Sequence, residues 1–246
     1  MKIRVINPNT TASMTEKIGE AATLIAAPGT QIIACNPASG PVSIESHFDE
    51  AVSAVGVIEQ VMVGEREATD AYIIACFGDP GLLAARELTR APVIGIAEAA
   101  FHLATMISTR FSVVTTLGRT GIIAEHLLQS YGFSHHCRRV RAAEIPVLDL
   151  EDDGCRALEL IIDECLRAKK EDNIGSIVLG CGGMADLTEK ISDAVGLPVV
   201  EGVTAAVKLA ETLVSLRLCT SKFGDLDFPR AKAFTGQFSH FSAQQK

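Results

Sequence analysis

The feature that most constrains how this chain can fold is a duplicated strand–turn–helix unit with a cysteine at its pivot. In the first half "IIACFGDPG" runs on to "APVIGIAEAA", and in the second "IVLGCGGMA" runs on to "LPVVEGVTAA". Cys76 lies 16 positions before Pro92 and Cys181 lies 17 before Pro198, so the two units keep step as well as pattern. Upstream segments repeat too. "IRVINPNTT" (3–11) and "FSVVTTLGRT" (111–120) are each an apolar strand followed by a turn rich in Thr or Asn.

Around these pivots, apolar β-type runs alternate with helical patterns. The periodicity predicts strands at 2–7, 31–35, 70–76, 92–96, 110–116, 176–181 and 197–202. Helices are predicted at 11–26, 48–65, 81–90, 98–108, 120–132, 155–172, 187–195 and 204–216. Continuous β-branched strands set between helices build parallel sheets covered on both faces. The expected class is therefore α/β, as two pseudo-symmetric doubly wound parallel-sheet domains with the active site in the cleft between them. The first domain is expected to take residues 1–96 plus 205–246, the C-terminal helix returning to it, and the second to take 97–204. The tail from residue 234 is expected to be loose. In such sheets ligands sit beyond the carboxyl ends of the strands, which is where both cysteines fall.

Charge and cysteine usage narrow the function. A net charge of −8 with no Lys/Arg block argues against a nucleic-acid partner. No apolar run reaches the roughly 20 residues of a membrane helix, and "MKIRVINPNTT" lacks the apolar core of a signal peptide. Seven cysteines fit neither a disulfide framework nor paired zinc knuckles. A soluble cytoplasmic protein acting on a small molecule is expected, with no nucleic-acid or membrane partner. No metal site, P-loop, dinucleotide fingerprint or Schiff-base lysine cradle is visible, so no cofactor is expected.

A thiol beside backbone N–H groups and a helix start is predicted to have its pKa lowered toward neutrality, which suits proton transfer. Two such thiols on opposite sides of one carbon can invert it: one removes the proton and the other returns one to the opposite face. The N–H groups around Phe77, Gly78, Gly182 and Gly183 are placed to hold the oxyanion of an intermediate carbanion. A single strand-end cysteine is more often only a small buried hydrophobe; recurrence at equivalent points of a repeat is what favours chemistry. Cys35, Cys137, Cys155, Cys165 and Cys219 are read as packing residues.

The segments "INPNTTASM", "GPVSIESHFDEA", "IIACFGDPGL", "FSVVTTLGRT", "VLGCGGM" and "GVTAAVKLAE" resemble the hydantoin racemase and allantoin racemase branch of the aspartate/glutamate racemase superfamily, over residues 1–235. The resemblance implies cofactor-independent racemisation at C5 of a hydantoin ring, Cys76 and Cys181 as the acid/base pair, and a homo-oligomer. Polar loops suited to the ring are Asn7, Asn9 and Thr10, then Pro41, Val42 and Ser43, then Thr115 and Thr116. Each has a structural alternative: Asn9 and Thr10 as helix caps, Thr115 and Thr116 as strand packing. Allantoin is the favoured substrate, as part of purine breakdown, with 5-alkyl or 5-aryl hydantoins as the alternative. Maleate isomerase or arylmalonate decarboxylase-like chemistry, or a non-catalytic sensor of small ring amides, stay open behind these. His47 is expected near the Pro41 loop, and His102 in the core.

Overall fold

The computed structural model describes residues 1–151 and 155–244. The first sheet is built from β1 (Lys2–Ile6), β2 (Gln31–Cys35), β3 (Ala71–Ile74) and β4 (Val93–Gly95), in the spatial order β2-β1-β3-β4. The second is built from β5 (Phe111–Thr115), β6 (Cys137–Ala142), β7 (Ser176–Leu179) and β8 (Val199–Val200), in the order β6-β5-β7-β8. Every pairing is parallel and the two orders are the same. The inner strands β3 and β7 are buried at every residue, as expected of strands covered on both faces.

Helices α1 (Ala12–Ile25), α2 (His47–Arg66) and α3 (Leu82–Leu88) serve the first sheet, and α5 (Gly118–Ser130), α6 (Cys155–Glu171) and α7 (Thr188–Val195) the second. The remaining two cross over. α4 (Ile96–Ile107) follows β4 yet packs on β7 and β8, while α8 (Gly202–Ser215) follows β8 yet packs on β3 and β4. Their buried faces are alanine-rich, with Ala97, Ala100 and Ala104 on α4 and Ala206 and Ala210 on α8, so the two helices approach closely. At their starts a Cβ on Gly202 would lie 2.4 Å from the Ile96 carbonyl oxygen, a distance no side chain tolerates. This exchange of helices ties the two sheets into one body and sets the cleft between them.

Two features differ from the sequence-based expectations, while the turn-then-helix reading after Cys181 holds. β6 is a strand that the periodicity did not predict, because "CRRVRA" carries three arginines in six residues. Arg141 of this strand is buried, and its guanidinium meets Asp172 at 2.7 Å and Glu164 at 3.0 Å as well as Glu171. The charge is thus neutralised inside an edge strand rather than held in solvent. The segment after Cys181 is a 3-10 turn, Gly182–Leu187, that leads into α7. The tail also is not loose. Gly236–Gln244 forms 3-10 turns in which Phe241 packs against Phe234 and Phe238, and His240 Nε2 lies 3.2 Å from Glu59. Among the described residues no helix is long and apolar enough to cross a membrane.

The Arg141 cluster yields a stability prediction. Arg141→Ala leaves the buried Asp172 carboxylate uncompensated and should cost about 3–5 kcal/mol in urea denaturation. In the native chain, burial opposes ionisation of Asp172, but the Arg141 and Ser112 hydrogen bonds prevail and hold its carboxyl below the ordinary range. Because the folded pKa is depressed, this contribution is full above the unfolded carboxylate pKa and is lost as pH falls through the folded value. The variant should therefore show a weaker acid dependence of stability than the native chain.

Candidate active site

Each cysteine is delivered by the same local device. Backbone bonds from Ala75 N to the Ile6 carbonyl and from Gly180 N to the Val114 carbonyl, both 2.8 Å, extend β3 and β7 by one pairing. The chain then turns: Asp79 N donates to the Cys76 carbonyl at 2.9 Å, and Met184 N donates to the Cys181 carbonyl at 3.2 Å. Both thiols sit at the first residue of a turn, and both are half-buried.

The two turns meet. A Cβ on Gly182 would lie 2.8 Å from the carbonyl oxygen of Ala75, the residue before Cys76. Cys76 and Cys181 accordingly line one cavity. The volume open to water centres there is about 50 Å³, room for several waters at the ~10–15 Å³ each needs. A small ligand fits, and a bulky one does not without rearrangement.

Of the other residues predicted for the site, Asn7, Asn9, Phe77, Gly78, Thr115, Thr116, Gly182 and Gly183 also line this cavity. Several are committed to holding it. Asn7 Nδ2 donates to Asn9 Oδ1 at 2.8 Å and to Thr15 Oγ1 at 3.0 Å, and Asn9 Oδ1 also accepts from Thr11 N at 2.9 Å. Thr115 Oγ1 donates to the Gly180 carbonyl at 2.9 Å, bracing the strand end that carries Cys181. Thr116 is buried with its hydroxyl held by no described residue. Phe77 packs edge-on against Phe101 of α4, which fixes the Cys76 turn on the crossing helix.

Thr10, Pro41, Val42 and Ser43 stand outside the cavity wall. Thr10 N donates to the Pro41 carbonyl at 2.9 Å and Thr11 Oγ1 to the Val42 carbonyl at 2.6 Å, so these residues clip two loops together. That clip brings the following residue, Ile44, to the cavity. His102 is exposed, and its ring meets Phe133 edge-on at the protein surface. Cys35 stands outside the cavity and accepts a hydrogen bond from Arg4. The side chain of Cys155 lies outside the described residues.

Two carboxylates near Cys76 were not singled out by the sequence. Asp79, buried and at a left-handed φ of 45°, accepts from Ala97 N and Glu98 N at 3.1 Å each and from the Tyr131 hydroxyl at 2.9 Å. It thereby caps α4 from another element and links the Cys76 turn to the end of α5. Burial pushes its carboxyl up to about 7 against those three donors. Glu50 of α2 lines the cavity itself, and burial raises its carboxyl too. "GDPG" reads as a turn, and "HFDEA" as a helix start, so neither acid carried a functional signal.

The expected acidic thiol is not found at Cys76. Burial pushes the Cys76 thiol well above its ordinary value, and the charges of Cys181, Glu50 and Asp79 add to this, while the Gly78 N–H opposes it. The physical reason lies in the local structure. α3 begins only at Leu82, after a glycine in the left-handed region, and is seven residues long. The helix end is therefore too far away and too weak to offset desolvation.

A turn cysteine at each of two equivalent strand ends lines one small cavity on a duplicated scaffold. The Asp/Glu/Hydantoin racemase family matches residues 3–210, and the chain belongs to that family; the relatives below are named as racemases, which are isomerases. An allantoin racemase from Klebsiella pneumoniae is 58% identical with a TM-score of 0.96, each chain covered to 98%. One from Pseudomonas fluorescens is 44% identical with a TM-score of 0.93, covering 96% of this chain and 100% of that one. A hydantoin racemase of Rhizobium meliloti is 50% identical over 96% of this chain and 98% of its own.

The contact between the two turns can be tested directly. Gly182→Ala forces the Cys181 turn away from the Ala75 carbonyl and should cost about 1–3 kcal/mol of stability by overpacking. If Cys181 transfers a proton, a shift of this kind at its sulfur lowers kcat on the order of 100-fold, measured on folded protein at a temperature where the variant is native.

Proposed function

We propose that the chain is a cofactor-independent racemase that inverts C5 of a hydantoin ring by two-cysteine proton transfer, with allantoin as its substrate. The observation that carries this reading is the shared cavity: Cys76 and Cys181 occupy the same position in two equivalent turns and line one cleft. For one enantiomer the Cys76 thiolate takes the C5 proton, the C5–H electron pair moves into the ring as an enolate on C4–O, and the Cys181 thiol delivers its proton to the opposite face. For the other enantiomer the roles exchange. The protein ends each turnover with its proton on the other sulfur. Gly182 and Gly183 line the cavity beside the sulfurs, where backbone N–H groups suit the developing oxygen charge, and the uncommitted Thr116 hydroxyl adds a further donor. Asn7, Asn9, Phe77 and Thr115 shape the walls.

Allantoin is favoured over 5-alkyl and 5-aryl hydantoins on two grounds. A protein named allantoin racemase matches at 58% identity over 98% of both chains. The cavity is also small, which suits a compact polar arm better than an aryl one. From the resemblance of its motifs, the enzyme is read as a cytoplasmic homo-oligomer of purine breakdown.

Polarimetry on single-enantiomer allantoin should show loss of rotation, with exchange of the C5 proton in D₂O by NMR; retention of both rotation and proton sinks the reading. Cys76→Ser and Cys181→Ser should each reduce racemisation by about 10²–10⁴-fold, with one-sided exchange surviving. pH adds a second check. Because burial raises the Cys76 thiol, its thiolate is the minor form at neutral pH and grows as pH rises. For the enantiomer deprotonated by Cys76, kcat/KM should climb from pH ~7 through the ordinary thiol value near ~8.5 without levelling there. A plateau reached at or below that value contradicts the assignment.

A further inference from the structure

A carboxylate beside a thiolate base is an electrostatic penalty, since the Glu50 charge pushes the Cys76 thiol further up. Its placement calls for a compensating role. Glu50 lies in the cavity wall with its side chain 17% exposed. One oxygen, Oε2, is held by His47 Nδ1 at 3.3 Å, and the His47 ring stacks on His126 of α5 with centroids 6.0 Å apart. The carboxylate is thus held on one oxygen by His47. The other oxygen, Oε1, occupies the space a side chain at position 78 would take, 2.0 Å from an ideal Cβ there. No described residue donates a hydrogen bond to Oε1. A half-buried, oriented carboxylate oxygen that faces a cavity and lacks a protein donor is an acceptor for a ligand N–H.

Enolate charge decides which part of the ligand it meets. The oxygen of C4, where negative charge grows, must turn away from Glu50, and with it from the adjacent Gly78, toward the N–H groups of Gly182 and Gly183. The far side of C5, carrying N1–H and the exocyclic arm, then faces the carboxylate. We infer that Glu50 is a specificity-determining residue, whose Oε1 accepts an N–H of the ureido arm and so selects 5-ureidohydantoins over 5-alkylhydantoins. This rests on the ring-substrate reading above and extends it to the substituent. 

Binding, not turnover, separates the two. Titration calorimetry of the wild-type chain and Glu50→Gln with allantoin and with 5-methylhydantoin gives four affinities. The two ligands share every ring donor and differ only in the arm, so the second ligand also reports whether the variant keeps a native cavity. Loss of a charge-assisted hydrogen bond should weaken allantoin binding roughly 10- to 100-fold, with 5-methylhydantoin changed less than about threefold. An equal loss for both ligands, no loss for either, or failure of the wild type to bind allantoin overturns the assignment. Racemisation assayed alongside is independent: bound allantoin that keeps its rotation overturns the racemase reading and leaves the assignment of Glu50 standing.

Discussion

The backbone contact between the Cys181 turn and the residue before Cys76 is the constraint on which the rest depends. Two parallel sheets, each presenting a thiol beyond the end of its third strand in sequence, make a proton-transfer site only if the two turns come within a small ligand's width. Gly182 allows this by leaving the Ala75 carbonyl unobstructed. The exchange of α4 and α8 between sheets supplies the force that keeps the turns together, through an alanine-lined helix pair and the close approach of Gly202 to Ile96. Removing apolar surface from water along that pair is favourable everywhere along its length, whereas the chemistry occupies only the cavity at one end.

Around the cavity, polar groups divide between holding and waiting. Asn7, Asn9 and Thr115 spend their hydrogen bonds on neighbouring loops and strand ends. Asp79 does the same from beneath, capping α4 and fastening Tyr131. Thr116 and one oxygen of Glu50 are left over, and these are the groups a ligand can use. Rigid walls with a few uncommitted groups are what preorganised proton transfer needs, since the geometry is set before the ligand arrives.

Much of the fold was legible in the sequence because repeat and periodicity point the same way. The two Cys-turn units, the inner strands β3 and β7 and the crossing helices all carry apolar runs of the right length. What escaped has a common cause: local pattern does not report long-range compensation. β6 hides behind arginines whose charges are met by acids from α6 and the residue following it. The tail is ordered by aromatic contacts between its own turns and a hydrogen-bond contact to Glu59 of α2. In the site, the cysteines were visible from their recurrence, while Glu50 reads as an ordinary first-turn acid of α2 until the cleft closes over it. In the Pro41 loop the carbonyls of Pro41 and Val42 are taken by Thr10 and Thr11, so these two groups hold the loops together. The thiol acidity was misjudged because desolvation, a property of the whole cleft, outweighs the nearby backbone donor.

The account's central claim is geometric, and a crystal structure of the protein with a C5-bearing ring ligand bound tests it most directly. It predicts the sulfurs of Cys76 and Cys181 on opposite faces of the same carbon, each within about 3–3.5 Å, the separation of a near-attack arrangement. Both sulfurs on one face, or either of them more than about 5 Å from that carbon, would contradict it.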